Sequence, residues 1–348
     1  MPKSHPRPPR ERGRKESPAP PPPAPSDDTV QLVRRAGRVA IVGRPNVGKS
    51  TLLNALVGEP IAITSRHPQT TRDRIAGVLT DGDAQIVFVD TPGIHQARNR
   101  LGTRMNQDAR EEARDADAVV FLTDVSAPPR PEMRAEDQRI LASIPTATPV
   151  VLVVNKVDKV TPKAALFPVL EAHAKVRAFA AVVPISALRA DGVRDVVEEV
   201  KKLLPEGPAL VEDDSISDKP LRFFVAEFVR EQILRKTREE VPHGVAVVVE
   251  RFDESGRLPK IDLAIHVDKD SHKAIVIGAG GALLKAIGTD ARARVERLMG
   301  RQVALRTFVR VTPGWYEKDS TLRDMGYDAP TGDDSGERRR RKPDEGTQ

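Results

Sequence analysis

Eight consecutive residues match, in type and order, a loop that binds phosphate groups. Residues 43–50 are Gly-Arg-Pro-Asn-Val-Gly-Lys-Ser, directly after a predicted strand and directly before a helical stretch. Glycines let the backbone wrap the phosphates, and the N-terminus of the helix presents free N–H groups to their charge. We expect Lys49 to neutralise the β- and γ-phosphates of a nucleotide and the Ser50 hydroxyl to ligate Mg²⁺. The predicted nucleotide-binding residues in this loop are Gly43, Arg44, Pro45, Asn46, Val47, Gly48, Lys49, Ser50 and Thr51.

A second motif offers further ligands for the metal and the γ-phosphate. Residues 90–93 are Asp-Thr-Pro-Gly at the end of another predicted strand. There the Asp90 carboxylate can reach Mg²⁺ through water, and the Gly93 N–H can meet the γ-phosphate. In the loop of residues 68–73, which would be ordered only by the γ-phosphate and its metal, we assign Thr71 rather than Thr70 to Mg²⁺. The nucleotide site thus also includes Asp90, Thr91, Pro92 and Gly93, and the predicted metal ligands are Ser50, Thr71 and Asp90.

Two later motifs predict a preference for guanine. Residues 155–158 are Asn-Lys-Val-Asp and follow a continuous apolar strand. The Asp158 carboxylate only accepts hydrogen bonds, and guanine offers it two donors, N1 and N2, whereas adenine has no matching pair. We expect Asn155 to join the nucleotide-binding loops and the stem of Lys156 to lie on the base. A tripeptide after the next strand would offer a backbone N–H to the guanine carbonyl, and its residues are Ser186, Ala187 and Leu188.

Between residues 36 and 206, short apolar strands alternate with helical stretches. This pattern is typical of an α/β domain whose parallel sheet is covered on both faces. Open α/β sheets bind nucleotides at the edge where strands end, and the motifs above follow strands. The predicted strands are Arg38 to Val42, Gln85 to Asp90, Ala118 to Asp124, Val150 to Asn155 and Ala181 to Ile185.

The pattern changes after residue 206. Residues 207–219 are acidic, contain Gly207 and Pro208, and predict a linker. Residues 220–327 predict an α+β domain in the order helix, strand, strand, helix, helix, strand. Its first helix would span residues 221–240, its strands residues 245–251, 260–267 and 302–311, and its two later helices would be split at residues 278–281.

Composition limits the remaining possibilities. The chain has 348 residues, enough for two domains and two tails. It has no cysteine, which excludes thiolate metal sites and cysteine nucleophiles and favours a reducing cytoplasm. Residues 1–35, rich in proline and arginine, and residues 328–348, rich in charge, have no apolar periodicity and are expected to be disordered. The net charge of +6 fits a polyanionic partner or a merely solvated basic surface.

Taken together, these motifs resemble the Era family of GTPases. The segment Pro-Gln-Thr-Thr-Arg at residues 68–72 adds to the resemblance. The C-terminal segment extends it, since residues 276–282 are similar to the helix-helix step of a type II KH domain. Gly314-Trp315 and residues 322–327 also resemble the C-terminus of the family. The resemblance covers about residues 37–327 and leaves out both tails.

The resemblance implies a fold, an activity and partners. The fold would be a P-loop GTPase domain with a mostly parallel α/β sheet, followed by an α+β type II KH domain. The activity would be hydrolysis of GTP to GDP and phosphate, with Mg²⁺ as the cofactor. The implied partners are the 3′ end of 16S rRNA and the 30S ribosomal subunit, whose maturation the protein would assist. A cytoplasmic monomer with peripheral contact to the inner membrane is implied as well.

The KH resemblance also implies an RNA-binding loop. KH domains place a Gly-x-x-Gly loop against the sugar-phosphate backbone, because a side chain at either glycine would block close approach. Many KH loops carry a basic residue between the glycines, but this chain does not. The predicted RNA-binding residues are Lys273, Gly278, Ala279, Gly280, Gly281 and Lys285. Six arginines further on would either bind phosphates or form a solvated face, and they are Arg292, Arg294, Arg297, Arg301, Arg306 and Arg310.

Residue 94 departs from the pattern of many Ras-like GTPases, which place a water-orienting Gln directly after Asp-x-x-Gly. Here the residue is Ile94, so we expect slow intrinsic hydrolysis unless charge is supplied from elsewhere. Asn46 stands where related GTPases hold K⁺, and it would either ligate that ion or only form hydrogen bonds within the loop. His95 is a weaker candidate for a general base. The alternative that Ile94 leaves open is an RNA-binding protein that uses GTP as a structural or regulatory ligand with negligible turnover.

Overall fold

The structure is a computed structural model of the chain, and it describes residues 34–65, 67, 70–97, 99–125, 128–212, 216–237, 241 and 244–327. Both predicted tails fall outside these ranges, apart from residues 34 and 35, as do residues 68 and 69 of the predicted metal-binding loop. All described residues belong to one compact unit, Val33–Gln348.

A six-stranded sheet forms the N-terminal half of this unit. Its strands are β1 (Arg35–Val42), β2 (Ile75–Asp81), β3 (Ala84–Asp90), β4 (Ala118–Asp124), β5 (Val150–Asn155) and β6 (Ala181–Pro184). Their order is β2-β3-β1-β4-β5-β6, with β2 antiparallel to β3 and all other neighbours parallel. Every residue of β3 and β5 is buried, as expected for strands that are covered on both faces. The predicted parallel sheet is confirmed, and β2 is an addition to it.

Helices cover the two faces of this sheet. They are α1 (Lys49–Val57), α2 (Arg100–Asp115), α3 (Ala135–Ala142), α4 (Phe167–Ala174) and α5 (Val193–Lys201). Successive side chains of a strand point to opposite faces, so β1 contributes to two cores. Val39 and Ile41 pack in the cluster that contains α1 and α5, while Ala40 and Val42 pack in the cluster that contains α2 and α3.

The segment predicted as a linker packs along the edge of the sheet. The Val78 N–H donates to the Ile216 carbonyl at 3.1 Å, and the Ser217 hydroxyl donates to the Ala76 carbonyl at 2.6 Å. These bonds occupy backbone groups of β2 that an edge strand would otherwise leave unpaired. The described part of the segment therefore acts as a cover for the sheet as well as a connection.

The C-terminal half has the predicted order of elements. They are α6 (Leu221–Lys236), β7 (Val245–Asp253), β8 (Lys260–Val267), α7 (Asp270–Ile277), α8 (Ala282–Met299), β9 (Ala304–Val311) and an additional short helix, α9 (Asp319–Asp324). The three strands form a sheet in which β7 is antiparallel and β9 parallel to β8. Helix α6 ends at Lys236, and residues 238–240 of the longer predicted helix lie outside the described ranges.

The two halves share buried surface. One hydrophobic cluster continues from α1 and the large sheet into α6, α8 and the small sheet. A second, smaller cluster joins Leu101 and Met105 of α2 to Trp315 and Tyr327. In the described part of the chain, no single helix is long and apolar enough to cross a bilayer. The bent pair of α7 and α8, taken together, has the length and the composition for a span.

Candidate functional site

A cavity of about 510 Å³ lies where β1, β3 and β5 end. Most of the predicted nucleotide-binding side chains meet there. The predicted residues that line it are Pro45, Asn46, Gly48, Lys49, Ser50, Thr51, Thr71, Gly93, Asn155, Lys156, Asp158 and Leu188. Residues that sequence analysis missed also line it, namely Ile63, Thr64, Ser65, Thr70 and Lys159. Two of these had a signal in the sequence, because Lys159 directly follows the guanine motif and Thr70 was the alternative to Thr71 as a metal ligand.

Lys49 is the first residue of α1 and is almost fully buried. Its ammonium donates to the carbonyls of Gly43 and Arg44, both at 3.2 Å, so it lies inside the curve of the loop. Burial lowers the pKa of Lys49 to about 8, with Asp90 opposing the shift and Arg44 adding to it. A polyphosphate in this loop would supply the negative charge that favours the ammonium form.

The side-chain oxygens of the three predicted metal ligands converge beside Lys49. The Ser50 hydroxyl donates to Asp90 Oδ2 at 2.6 Å and lies 2.7 Å from the Thr71 hydroxyl, which is itself 3.2 Å from Asp90 Oδ2. The neighbouring Thr70 hydroxyl instead contacts Ser65 Oγ and the His67 carbonyl. The structure therefore brings together the predicted set that contains Thr71.

The electrostatics of this cluster fit a divalent cation. Asp90 is fully buried, and its Oδ1 has no hydrogen-bond partner among the described residues. Burial raises the pKa of Asp90, against the opposing effects of Lys49, Ser50 and Thr71. A carboxylate and two hydroxyls are hard oxygen donors of the kind that Mg²⁺ prefers, and a cation beside them would hold Asp90 ionised.

The segment after Asp90 contacts the phosphate loop directly. A Cβ on Gly93 would lie 2.8 Å from the Pro45 backbone, so only glycine allows this approach. The Thr91 hydroxyl donates to the Ile41 carbonyl at 2.9 Å and fixes the segment to β1. Ile94 is buried in the core, and the His95 ring lies 2.9 Å from the Gly93 carbonyl. Neither Ile94 nor His95 lines the cavity.

At the other end of the cavity, Asn155 joins the loops as expected from the motif. Its amide nitrogen donates to the Val47 carbonyl at 2.8 Å. Its Oδ1 accepts from the N–H of Ala187 at 3.0 Å. Asp158 accepts from the Ser186 hydroxyl at 2.8 Å and keeps its carboxylate at the cavity wall. The Ala187 N–H is thus engaged by Asn155 in this structure.

Two basic residues of the predicted site have carboxylate partners. The Lys156 ammonium donates to the Asn46 carbonyl at 2.6 Å and to Asp124 Oδ2 at 2.8 Å. The Arg44 guanidinium donates to Asp124 Oδ1 and Asp137 Oδ1, both at 2.7 Å. The Arg44 side chain therefore lies outside the cavity lining, and a contact of Arg44 with the nucleotide stays a prediction. Sequence analysis missed Asp124 and Asp137, although Asp124 ends β4 at the nucleotide-binding edge of the sheet.

The predicted RNA-binding loop joins α7 to α8. Gly278 has φ 71° and a Cβ there would lie 2.7 Å from Leu283 Cβ, whereas Gly280 and Gly281 face open space. Ala279, Gly280 and Lys285 are exposed and Lys273 is half-buried. Several of the later arginines are already paired with acids, because Arg301 contacts Glu254 and Arg310 contacts Glu250.

Arg294 differs from both alternatives that its sequence position suggested. Its guanidinium pairs with the buried Glu231 and donates to the Pro60 carbonyl at 3.0 Å. It joins the two halves of the molecule and does not form a solvated face.

Two family profiles match the chain. A 50S ribosome-binding GTPase profile matches residues 38–156, and a KH domain profile matches residues 240–316. GTPase Era of Geobacter metallireducens is 47% identical to this chain over 296 residues, which is 84% of this chain and 98% of that protein. GTPase Era of Xanthomonas campestris is 45% identical with the same coverage.

Solved structures agree with these matches. A crystal structure of a variant of Aquifex aeolicus Era bound to GDP and AlF4⁻ is 38% identical with a TM-score of 0.81, and the match covers 85% of this chain and 100% of that chain. A crystal structure of Era in complex with MgGDPNP and nucleotides 1506–1542 of 16S ribosomal RNA matches equally well. These findings confirm the predicted P-loop GTPase fold and the KH domain after it. The chain is therefore a GTPase that belongs to the Era family.

Proposed function

We propose that this GTPase binds Mg·GTP in the cavity at the ends of β1, β3 and β5 and hydrolyses it there to GDP and phosphate. The observation that carries the proposal is the position of charged and polar side chains along one cavity. Lys49, Ser50 and Thr71 line one end of the cavity, and the Asp158 carboxylate lies at the other. The Asp90 carboxylate is buried just behind the first end, 2.6 Å from the Ser50 hydroxyl. A guanine nucleotide has its phosphates and its N1 and N2 donors at opposite ends, in the same arrangement.

In this proposal the protein acts mainly by positioning charge. Lys49 and the N–H groups at the start of α1 bind the phosphates, and the Gly93 N–H meets the γ-phosphate. Ser50, Thr71 and Asp90 would hold Mg²⁺, and the cation would offset the charge that develops on the phosphate oxygens. Ile94 has no polar group and is buried in the core, so it cannot orient water, and we expect slow intrinsic turnover unless charge is supplied from elsewhere.

Nucleotide binding by a Lys49→Ala variant tests the site. We expect its affinity for a fluorescent GDP to fall at least about 100-fold, since a charge-assisted contact to phosphate is lost from a buried loop. Lys201→Ala is the matched control, because Lys201 pairs with Asp81 at the far side of the sheet. Equal affinities of the two variants would show that the cavity is not the nucleotide site.

We also propose that Asn46 helps to hold K⁺ beside the phosphates. Its backbone is in the left-handed region, φ 63°, and its carbonyl is fixed by Lys156. Turnover of GTP should be several-fold faster in K⁺ than in Na⁺. Asn46→Gly keeps the backbone geometry while it removes the side chain, and it should abolish this difference. Equal rates of the unaltered protein in both salts would refute the proposal.

The KH domain is proposed to bind the 3′ end of 16S rRNA. Support comes from the KH profile, from the related Era structure that contains nucleotides 1506–1542 of 16S rRNA, and from the open space at Gly280 and Gly281. The RNA backbone would approach the N–H groups of Ala279 and Gly280, and Lys273 and Lys285 would supply the positive charge.

An added negative charge tests this loop. Gly280→Asp places a carboxylate where φ is 57°, a conformation that Asp tolerates, and it meets no neighbouring atom. Gly300→Asp is the matched control, with φ 64° and open space at the end of α8. We expect Gly280→Asp to weaken binding of an RNA of nucleotides 1506–1542 about tenfold or more, because phosphate contacts dominate affinity. Equal weakening by both variants would place the RNA elsewhere.

The biological role that we propose combines GTP hydrolysis with binding of rRNA. We propose that the protein assists maturation of the 30S subunit as a monomer in the cytoplasm, with peripheral contact to the inner membrane as a second location. The proposed units are a GTPase domain at residues 36–206, a linker at 207–219 and a KH domain at 220–327. Support is the family membership together with the RNA proposal. Sedimentation of the tagged protein with 30S particles or with membranes would distinguish the two locations.

A further inference from the structure

Four charged side chains form a closed cluster behind the nucleotide cavity. The four-charge cluster consists of Arg44, Asp124, Asp137 and Lys156. It contains two positive and two negative charges, so it is neutral as a whole. Asp137 and Arg44 are buried, and the Asp124 side chain is only 15% exposed.

Asp124 is the member that joins the two nucleotide-binding loops. Its Oδ1 accepts from Arg44, the second residue of the phosphate loop, and its Oδ2 accepts from Lys156 of the guanine motif, at 2.7 and 2.8 Å. Asp137 anchors the other side of Arg44 and accepts from the Thr123 hydroxyl with its second oxygen, at 2.8 Å. Both oxygens of both carboxylates are therefore bonded, which fixes their orientation.

Lys156 needs such an anchor because its backbone lies in the left-handed region, φ 65°. That conformation is unfavourable for a residue with a side chain, and it persists only where surrounding contacts stabilise it. The ammonium is held by Asp124 and by the Asn46 carbonyl, which stretches the stem of Lys156 along the cavity wall. Burial opposes ionisation of Asp124, but hydrogen bonds from Lys156 and Arg44 keep its pKa below the ordinary value.

We infer that Asp124 is a positioning residue for the guanine nucleotide, which sets the Lys156 stem against the base and the phosphate loop against the phosphates. Asp124, Asp137 and the Arg44 side chain lie outside the cavity lining, so they act through Lys156 and the loop backbone and not by contact. The inference rests on the proposed nucleotide site. A neutral residue at position 124 leaves Arg44 and Lys156 without their shared acid. The phosphate loop and the guanine motif are then free to move apart.

Asp124→Asn tests the inference, because it keeps the size of the side chain and removes its charge. We expect GDP and GTP to dissociate about 10- to 100-fold faster, as for the loss of a partly buried charged hydrogen bond. Asp81→Asn is the matched control. Asp81 also ends a strand of this sheet and pairs with two basic side chains, Arg194 and Lys201, both at 2.9 Å, but it does not line the cavity. Thermal unfolding of both variants separates lost stability from lost positioning.

Lys156→Met supplies a second measurement that does not depend on the folding of Asp124→Asn. It should accelerate dissociation as well, and the double variant Asp124→Asn/Lys156→Met should show much less than the product of the two single effects, because both act through one contact. If Lys156→Met has no effect, the proposed nucleotide site itself fails. If Lys156→Met accelerates dissociation while Asp124→Asn does so no more than Asp81→Asn, or if the single effects simply multiply, the role of Asp124 is refuted.

Discussion

Asp158 is the residue on which the predicted choice of guanine depends. Its carboxylate lines the cavity and accepts one hydrogen bond, from the Ser186 hydroxyl, at 2.8 Å. That bond fixes the orientation of the carboxylate and leaves its second oxygen for a ligand. A side chain that can only accept hydrogen bonds selects a base edge with two donors.

Replacing Asp158 with Asn should change the base that is preferred. The amide of Asn can donate to the C2 carbonyl of xanthine, which stands where guanine has its amino group. We expect GTP affinity to fall about 100-fold and XTP to bind better than GTP, since an unmatched buried polar pair costs that much. Competition of GTP, XTP and ATP for a labelled nucleotide measures the order. An unchanged preference for GTP would exclude Asp158 from the base site.

The two neighbouring threonines give a second prediction at this scale. Thr71→Ala should raise the Mg²⁺ concentration for half-maximal GTP turnover about tenfold, the usual range for a residue in the metal environment. Thr70→Ala removes a hydroxyl that contacts Ser65 and His67 instead, and it should cause a much smaller change. Titration of turnover with Mg²⁺ measures both, and a larger effect of Thr70→Ala would reverse the assignment of the ligand.

Single residues also show how far the sequence could be interpreted. The motifs predicted most of the residues that line the cavity, because the motifs at residues 43–50, 90–93 and 155–158 each follow a strand and the strands of a parallel sheet end at one edge. The partners of Arg44 lie 80 and 93 residues further along the chain. No local pattern indicates such contacts, so the position of the Arg44 side chain could not be predicted.

At the scale of elements, the edge strand β2 was the main feature missed in the N-terminal half. Its signal was present, because the two residues Gly82 and Asp83 join β2 to β3, and Gly82 has φ 63°. A two-residue loop that begins with glycine, between apolar runs, is typical of a β-hairpin. The pattern of continuous apolar runs, which is typical of parallel strands, does not reveal this hairpin. The packing of the linker along β2 depends on this hairpin and was missed with it.

Gln85 of β3 tests how strongly the linker is fixed. Its fully buried amide accepts from Leu210 N and Val211 N and donates to the Val211 carbonyl. Gln85→Ala should lower the free energy of unfolding by about 2 kcal/mol, because it removes three partly buried hydrogen bonds between β3 and the linker, each of which contributes about 0.5–1 kcal/mol. Urea denaturation measures the loss. Gln107→Ala, at an exposed site in α2, should change stability little, and an equal effect of the two would mean that the linker contacts contribute nothing.

At the scale of the whole molecule, the predicted metal-binding loop contacts the C-terminal half through residues 70 and 72. Arg72, directly after the proposed metal ligand Thr71, is buried, donates to the Val245 carbonyl at 2.6 Å and lies 5.5 Å from the centre of the Trp315 ring. Arg230 of α6 donates to the Thr70 carbonyl. Each partner lies more than 150 residues from the loop, which is why the sequence predicted two units but not the contact between them.

A second polar contact between the two halves depends on Glu231 of α6. Its buried carboxylate accepts from the Thr64 N–H at 3.1 Å and pairs with Arg294 and Arg235. Arg294 in turn holds the Pro60 carbonyl and lies over the Phe228 ring. Removal of the charge at Glu231 would leave Arg294 partly buried without an acid.

Glu231→Gln should therefore loosen the whole molecule. We expect the free energy of unfolding to fall by about 3 kcal/mol, the range for breaking a buried ion pair on one side. Amide hydrogen exchange should also become faster at residues 60–65, which the ion pair of Glu231 and Arg294 holds against α6. Glu254→Gln is the matched control, since Glu254 pairs with Arg301 at the surface, where such pairs contribute about 0.5 kcal/mol. Equal losses in the two variants, or unchanged exchange at residues 60–65, would mean that the halves are held by their shared hydrophobic cluster and not by Glu231.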